Sequence, residues 1–258
     1  MAAMASIIPK DRTVAALAEV WTSIADLLAQ LDDADWQRPS PLPGWSVQDN
    51  VAHVVGTEAM LSGEAAPEVE IDRSADSHVR NDIGAFNEAW VESMRSMPPE
   101  QVLTRFRELT AERIATLEAM SLDDWNAESF TPAGQDTFGR FMQIRVFDCW
   151  LHEQDIRDAV GLPGHVTGLA VDVTLDEMAT ALGFVVGKKA GAEPGQSVSF
   201  VLTDAGSVVR TIHVEVGERA TVVPALDGPA TVTLTMPVGV MTRRCAGRVA
   251  PDDLLDQV

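Results

Sequence analysis

The chain has 258 residues, and its 39 acidic against 19 basic side chains give a formal charge of −20. That charge opposes docking on a phosphate backbone or an anionic membrane surface, and no arginine or lysine stripe interrupts it, so neither nucleic acid nor membrane is expected as a partner. The length exceeds the usual single domain and the patterning changes character after about residue 163, so two domains are expected, 10–163 and 164–258.

The opening MAAMASIIPK has one late lysine and no apolar run of signal length, and later apolar stretches are broken by Gly, Asp or Lys before 18 residues. Neither export nor membrane insertion is expected. Cys149 and Cys245 form no disulfide framework and no CxxC knuckle, which fits a cytoplasmic protein.

From Thr13 to Leu31, the residues Val14, Leu17, Val20, Trp21, Ile24, Leu27, Leu28 and Leu31 recur at helical spacing and predict a first amphipathic helix. RPSPLPGW then fixes turns, and Ser46 with Asp49 forms a capping-box pattern that starts a second helix, with His53 about two turns in. A polar stretch, GEAAPEVEIDRSADSHVRND, reads as a long loop before a third helix at roughly 81–97, whose stripe is Ile83, Phe86, Trp90, Val91 and Met94. Pro99 suits the first turn of a fourth helix with the face Leu103, Phe106, Leu109, Ile114 and Leu117. A fifth runs from about Asp136 to Val160, with Phe141, Ile144, Phe147, Leu151 and Ile156, and ends near Gly161-Leu162-Pro163. Long amphipathic segments separated by breaks give a helical bundle.

Positions four apart on a helix lie one above the other, so Asp148 and His152 can converge on one ion while His53 supplies a third ligand from a neighbouring helix. Two imidazoles and a carboxylate suit Zn2+ first, with Ni2+ and other divalent transition metals compatible. The spacing equally allows a core His53 bonded to a backbone carbonyl, an Asp148–Arg145 pair and a surface His152. Trp150 and Phe147 read as packing residues and Cys149 as a small buried filler. Arg157 sits at a charged helix end that is either a solvated face or an anchor for a substrate carboxylate. His78 reads as a surface histidine or as one closing over a site; His165 and His213 read as ordinary residues.

In the second half, 171–186 reads as a helix, and SVSFVLTD, SVVRTIHVEV, ATVVPAL and ATVTLTMP read as strands separated by turns, an α/β pattern. Alternation is clearest in Thr231, Thr233 and Thr235 against Val232, Leu234 and Met236. Arg243, Arg244 and Arg248 stand out in an acidic chain. They are read as interdomain or solubilising charges, or as a surface for an anionic ligand or cofactor facing the bundle site.

At PLPGWSVQDNVAHVVG and RVFDCWLHEQDIRDAVGLPG the chain resembles the mycothiol-dependent maleylpyruvate isomerase family, within the wider DinB-like metalloprotein bundles. The resemblance covers most of residues 10–163. It implies an α+β protein, an up-down-down-up four-helix bundle followed by a smaller domain resembling sterol-carrier-protein-2, whose late helix and GR motif are matched by VGVMTRRCAGRV. It places the family's metal ligands on His53, Asp148 and His152, with the departure that the family's carboxylate is commonly glutamate. It also implies mycothiol as the thiol, a small electrophile as its partner, and metal-dependent S-transfer or maleylpyruvate-type cis-trans isomerisation by a monomer or homodimer. A thiol-independent metal hydrolase and a non-catalytic ligand-binding or structural module are the alternatives.

Overall fold

The computed structural model describes residues 6–74, 78–253 and 258. The chain divides into a compact unit ending at His165 and a second beginning at Val166.

The first unit is helical. Helix α1 (Lys10–Leu28) buries Val14, Leu17, Val20, Trp21, Ile24, Leu27 and Leu28, so the expected stripe is the buried one; Leu31 lies past the helix end. A short α2 (Asp33–Trp36) leads into the proline-rich turn. Ser46 then caps α3 (Val47–Leu61) in the expected capping box: the Ser46 N–H donates to Asp49 Oδ2 at 2.8 Å, and the Asp49 N–H donates to Ser46 Oγ at 3.3 Å. Helix α3 is buried around most of its circumference, as a helix central to a bundle must be.

Helices α4 (Asp82–Met94) and α5 (Pro99–Ala119) follow, the latter with Pro99 in its first turn. Two expected stripes are corrected here. In α4 the buried residues are Glu88, Ala89, Trp90, Val91 and Met94, whereas Ile83 and Phe86 are exposed. In α5 the buried face includes Arg113 in place of Ile114, because an internal carboxylate partners the arginine. A short α6 (Leu122–Trp125) and a hairpin, β1 (Glu128–Thr131) and β2 (Gly134–Thr137), come next. The hairpin has no counterpart in the sequence reading, and it moves the start of α7 (Phe138–Val160) to Thr137, whose side chain accepts from the Arg140 N–H. Gly161, at φ 70°, ends α7 in a left-handed cap.

Helix α1 packs on α5 and α7, and α3 packs on α4, α5 and α7, which closes a circuit of four long helices with α4 laid against α3. The α3–α4 approach depends on Gly56: a Cβ there would fall 2.4 Å from Trp90 Cβ.

In the second unit, α8 (Leu169–Phe184) runs on into one π turn, Val185–Lys189. Strands β3 (Ser197–Asp204), β4 (Ser207–Val216), β5 (Ala220–Val223) and β6 (Val232–Pro237) form one mixed sheet in the order β5-β4-β3-β6. The β3–β6 pair is parallel and the other two are antiparallel. Helix α8 lies on β4 and β5, and α9 (Val238–Cys245) lies on β3 and β6. The chain is therefore α+β, a helical region followed by a mixed four-stranded sheet. Among the described residues no helix is long and apolar enough to cross a membrane.

Replacing Gly56 with alanine forces a methyl group into the Trp90 side chain. The expected cost is about 1–3 kcal/mol of unfolding free energy. Urea denaturation of Gly56→Ala beside the parent protein measures it, and an unchanged midpoint would refute the close-approach account.

Candidate metal centre

His53 projects from the middle of α3, and Asp148 and His152 project from α7 one turn apart. The His53 Nε2 lies 3.3 Å from Asp148 Oδ2, and the His152 Nε2 lies 3.5 Å from Asp148 Oδ1. One ligand atom from each residue can be chosen so that all lie within 4.8 Å of one another. The two imidazoles meet edge to face at 4.7 Å between centroids. Their side chains are only 8% and 7% exposed, against 30% for Asp148, so the carboxylate marks the open side.

Asn50, one turn before His53 on α3, sets the state of His152. Its amide nitrogen donates to the Ser46 carbonyl at 2.8 Å, which leaves its oxygen to face His152 Nδ1 at 2.8 Å. Nδ1 then donates to Asn50, and Nε2 faces Asp148 Oδ1 at 3.5 Å, a gap that a cation, either a proton or a metal ion, would bridge. Burial pushes His53 below its ordinary pKa and outweighs the opposing pull of Asp148, which favours its neutral form. Burial opposes the ionisation of Asp148, yet the adjacent Arg145 guanidinium together with His152 and His53 outweighs it and holds the carboxyl well below its usual range. Two imidazoles and one ionised carboxylate converging within 4.8 Å are a donor set that suits a divalent ion, so the residues present fit a metal.

Arg145 is itself fixed from α3. Its Nε donates to Glu58 Oε1 at 2.9 Å, Nη1 pairs with Asp148 Oδ2, and Nη2 reaches Cys149 Sγ at 3.4 Å. Arg113 of α5 donates through Nε to the other Glu58 oxygen at 3.0 Å. Glu58, Arg113 and Arg145 are all buried. Cys149 is fully buried, accepts from Trp21 Nε1 at 3.3 Å, and burial pushes its thiol up to about 12, which makes it a packing group rather than a nucleophile.

The structure thus brings together His53, Asp148 and His152, and it realises the Asp148–Arg145 pair at the same time. Arg157, read as a solvated helix end or a carboxylate anchor, has three partners within the helical unit. Nε donates to Glu153 Oε1 at 2.8 Å, Nη1 to the Leu162 carbonyl at 3.1 Å, and Nη2 to Ser23 Oγ at 3.2 Å. His165, read as ordinary, bridges the fully buried Glu153 at 2.6 Å and Glu19 at 3.2 Å. His78 pairs with Glu88 Oε2 at 2.9 Å. Arg243 and Arg244 belong to α9 and Arg248 follows it, all in the second unit; Arg248 donates to the Ala246 carbonyl at 3.0 Å.

Sequence reasoning missed Asn50, Glu58, Arg113 and Trp45. Asn50 had a signal, since it shares a helix face with His53 at i−3. Glu58 had another, a lone carboxylate in the apolar run VAHVVGTEAM. Arg113 and Trp45 had none, because their roles arise from other elements.

Two buried histidines and an ionised aspartate converging inside a helical bundle define a candidate divalent-metal protein. Residues 17–157 match the Mycothiol maleylpyruvate isomerase N-terminal domain family, and the chain belongs to it. An uncharacterised protein of Mycobacterium tuberculosis, found in two strains, is 25% identical over 153 residues. That alignment covers 54% of this chain and 56% of the relative, so the chain spans about half the length of the curated relatives it matches. The crystal structure of the mycothiol-dependent maleylpyruvate isomerase superposes with a TM-score of 0.57 at 18% identity, covering 95% of this chain and 91% of that one. A histidine-to-alanine variant of that enzyme gives 0.54 at 17% identity, covering 94% and 90%. These two likenesses establish the fold.

Two outcomes follow from the buried charges. Glu58→Ala leaves two guanidinium groups without their shared carboxylate and should cost about 3–5 kcal/mol, read by urea denaturation. His165 is half-buried, and although that burial lowers its pKa, Glu153 and Glu19 raise it above the ordinary 6.5. Its ion pairing therefore stabilises the fold fully below the unfolded value near 6.5 and is lost as pH rises through the higher folded value. Unfolding midpoints measured from pH 6 to pH 9 should fall more steeply for the parent than for His165→Gln, and parallel curves would refute the assignment.

Proposed function

We propose that this protein is a metal-dependent mycothiol S-transferase or maleylpyruvate-isomerase-like enzyme acting on a small electrophile. The convergence of His53, Asp148 and His152 within 4.8 Å carries this reading, and family membership supports it. Zn2+ is the first choice for two imidazoles and a carboxylate, with Ni2+ also suited. When bound, such an ion lowers the pKa of a thiol and so favours the nucleophilic thiolate.

The chain's own groups have separable roles. Arg145 helps to keep Asp148 ionised, Asn50 holds His152 in the ligating tautomer, and burial favours the neutral form of His53. Cys149 is sequestered, so the reacting sulfur comes from a thiol substrate, and mycothiol is that thiol by family. In the isomerase version the sulfur adds to one carbon of the double bond, the resulting single bond rotates, and the same C–S bond breaks to return the thiolate. In the transferase version the C–S bond remains and the electrophile's leaving group departs. The helical unit is read as the up-down-down-up bundle of DinB-like proteins. The second unit is read as resembling sterol-carrier-protein-2, which its mixed β5-β4-β3-β6 sheet supports.

The test is metal analysis of natively purified protein, then turnover with mycothiol and a panel of electrophiles. About one equivalent of divalent metal and thiol-dependent turnover are expected, and both should be lost in His53→Ala and His152→Ala. Asn50→Ala should bind the metal roughly 10–100-fold more weakly. Undiminished turnover in both histidine variants would overturn the reading, and turnover without thiol would transfer the site to hydrolysis.

A further inference from the structure

The ring of Trp45 lies 5.3 Å from that of His53 and 5.8 Å from that of His152, tilted 40° and 32° to them. It is half-buried, so it faces both the triad and solvent. Its place is fixed at both ends. On the backbone side, Gly44 at φ 80° precedes it, and the Ser46 cap of α3 follows it. On the ring side, Trp45 Nε1 donates to Glu88 Oε2 at 2.9 Å. Glu88 is buried and held in turn by Arg95 Nη2 at 2.7 Å and His78 Nε2 at 2.9 Å, and Arg95 also reaches Asp49 at 3.1 Å. A tryptophan that only filled space would not need a buried carboxylate with two further partners to aim its N–H.

We propose that Trp45 is the specificity-determining wall of the triad, a rigid aromatic face that stacks on flat, conjugated groups held at the site in preference to saturated groups of the same size. The inference rests on the metal reading above and deepens it, naming conjugated, planar electrophiles as the favoured substrate class. Glu88 is the positioning residue that holds the indole against the site.

The test uses zinc-loaded full-length protein and two hydroxamates that differ only in the ring, benzohydroxamate and cyclohexanecarbohydroxamate, with affinities measured by calorimetry. Both should bind the parent and neither should bind His152→Ala. The parent should favour the flat ring by roughly three- to tenfold, the size of one aromatic contact. Trp45→Leu should abolish that preference while still binding the saturated ring, and Trp45→Phe should retain it. Trp45→Met serves the same comparison if the leucine variant does not fold. Equal binding of the two rings to the parent, or a preference that survives Trp45→Leu, overturns the wall while leaving the metal reading intact. Failure of both hydroxamates to bind the parent overturns both.

Discussion

Glu58 constrains this protein more than any other side chain. A carboxylate with no solvent exposure in the middle of a helix costs several kcal/mol unless its charge is met at close range. Here it is met twice, by Arg113 from α5 and Arg145 from α7. Two guanidinium groups around one carboxylate would leave a net positive charge in the core, and Asp148 supplies the balancing anion through Arg145. The four charges cancel, and in doing so they tie α3, α5 and α7 together. Apolar stripes alone tolerate rotation or slippage of one helix against another. A buried ion network does not, because a shift of one turn would strand a charge.

The same network reaches the candidate metal centre. Both α7 members of the triad are oriented from α3, His152 by Asn50 one turn before His53, and Asp148 by Glu58 through Arg145. The third member, His53, lies on α3 between those two anchors. The candidate metal centre is in this sense the α3–α7 contact itself. Its protonation states follow from the contact too, since burial favours the neutral form of His53 and Arg145 helps to keep Asp148 charged. No mobile element is needed to assemble the donors.

What could be read from the chain was whatever depends on local periodicity. The stripe of α1, the Ser46–Asp49 cap, the i, i+4 pair Asp148 and His152, and the bounds of β3 and β4 all follow from spacing within one element. The failures share the opposite cause. Arg113 is buried and Ile114 less so because a carboxylate on another helix decides which face turns inward. Ile83 and Phe86 look like core residues and are exposed because α4 makes its principal contact with one helix, α3, and has little face to bury. The partners of Arg157 could not be read because Ser23 comes from α1 and the Leu162 carbonyl from the turn after α7. The β1–β2 hairpin is two four-residue strands of ordinary polar composition, too short for alternation to register.

The resemblance read from the sequence implies a glutamate at the position of Asp148, and the α3–α7 contact accommodates the shorter side chain. One methylene less reach has to be made up by closer helices or a displaced ion, and the buried Glu58–Arg145 pair at 2.9 Å draws α3 onto α7. At that approach Asp148 already meets both imidazoles, with Oδ2 toward His53 and Oδ1 toward His152, at 3.3 and 3.5 Å. A longer side chain would have to fold back to occupy the same point, and it would move the carboxylate away from Arg145, which helps to hold it ionised. The shorter ligand and the buried arginine are therefore a matched pair. Aspartate restores the distance and Arg145 restores the rigidity, at the expense of placing a permanent cation beside the candidate metal centre. A divalent ion held there would feel that repulsion.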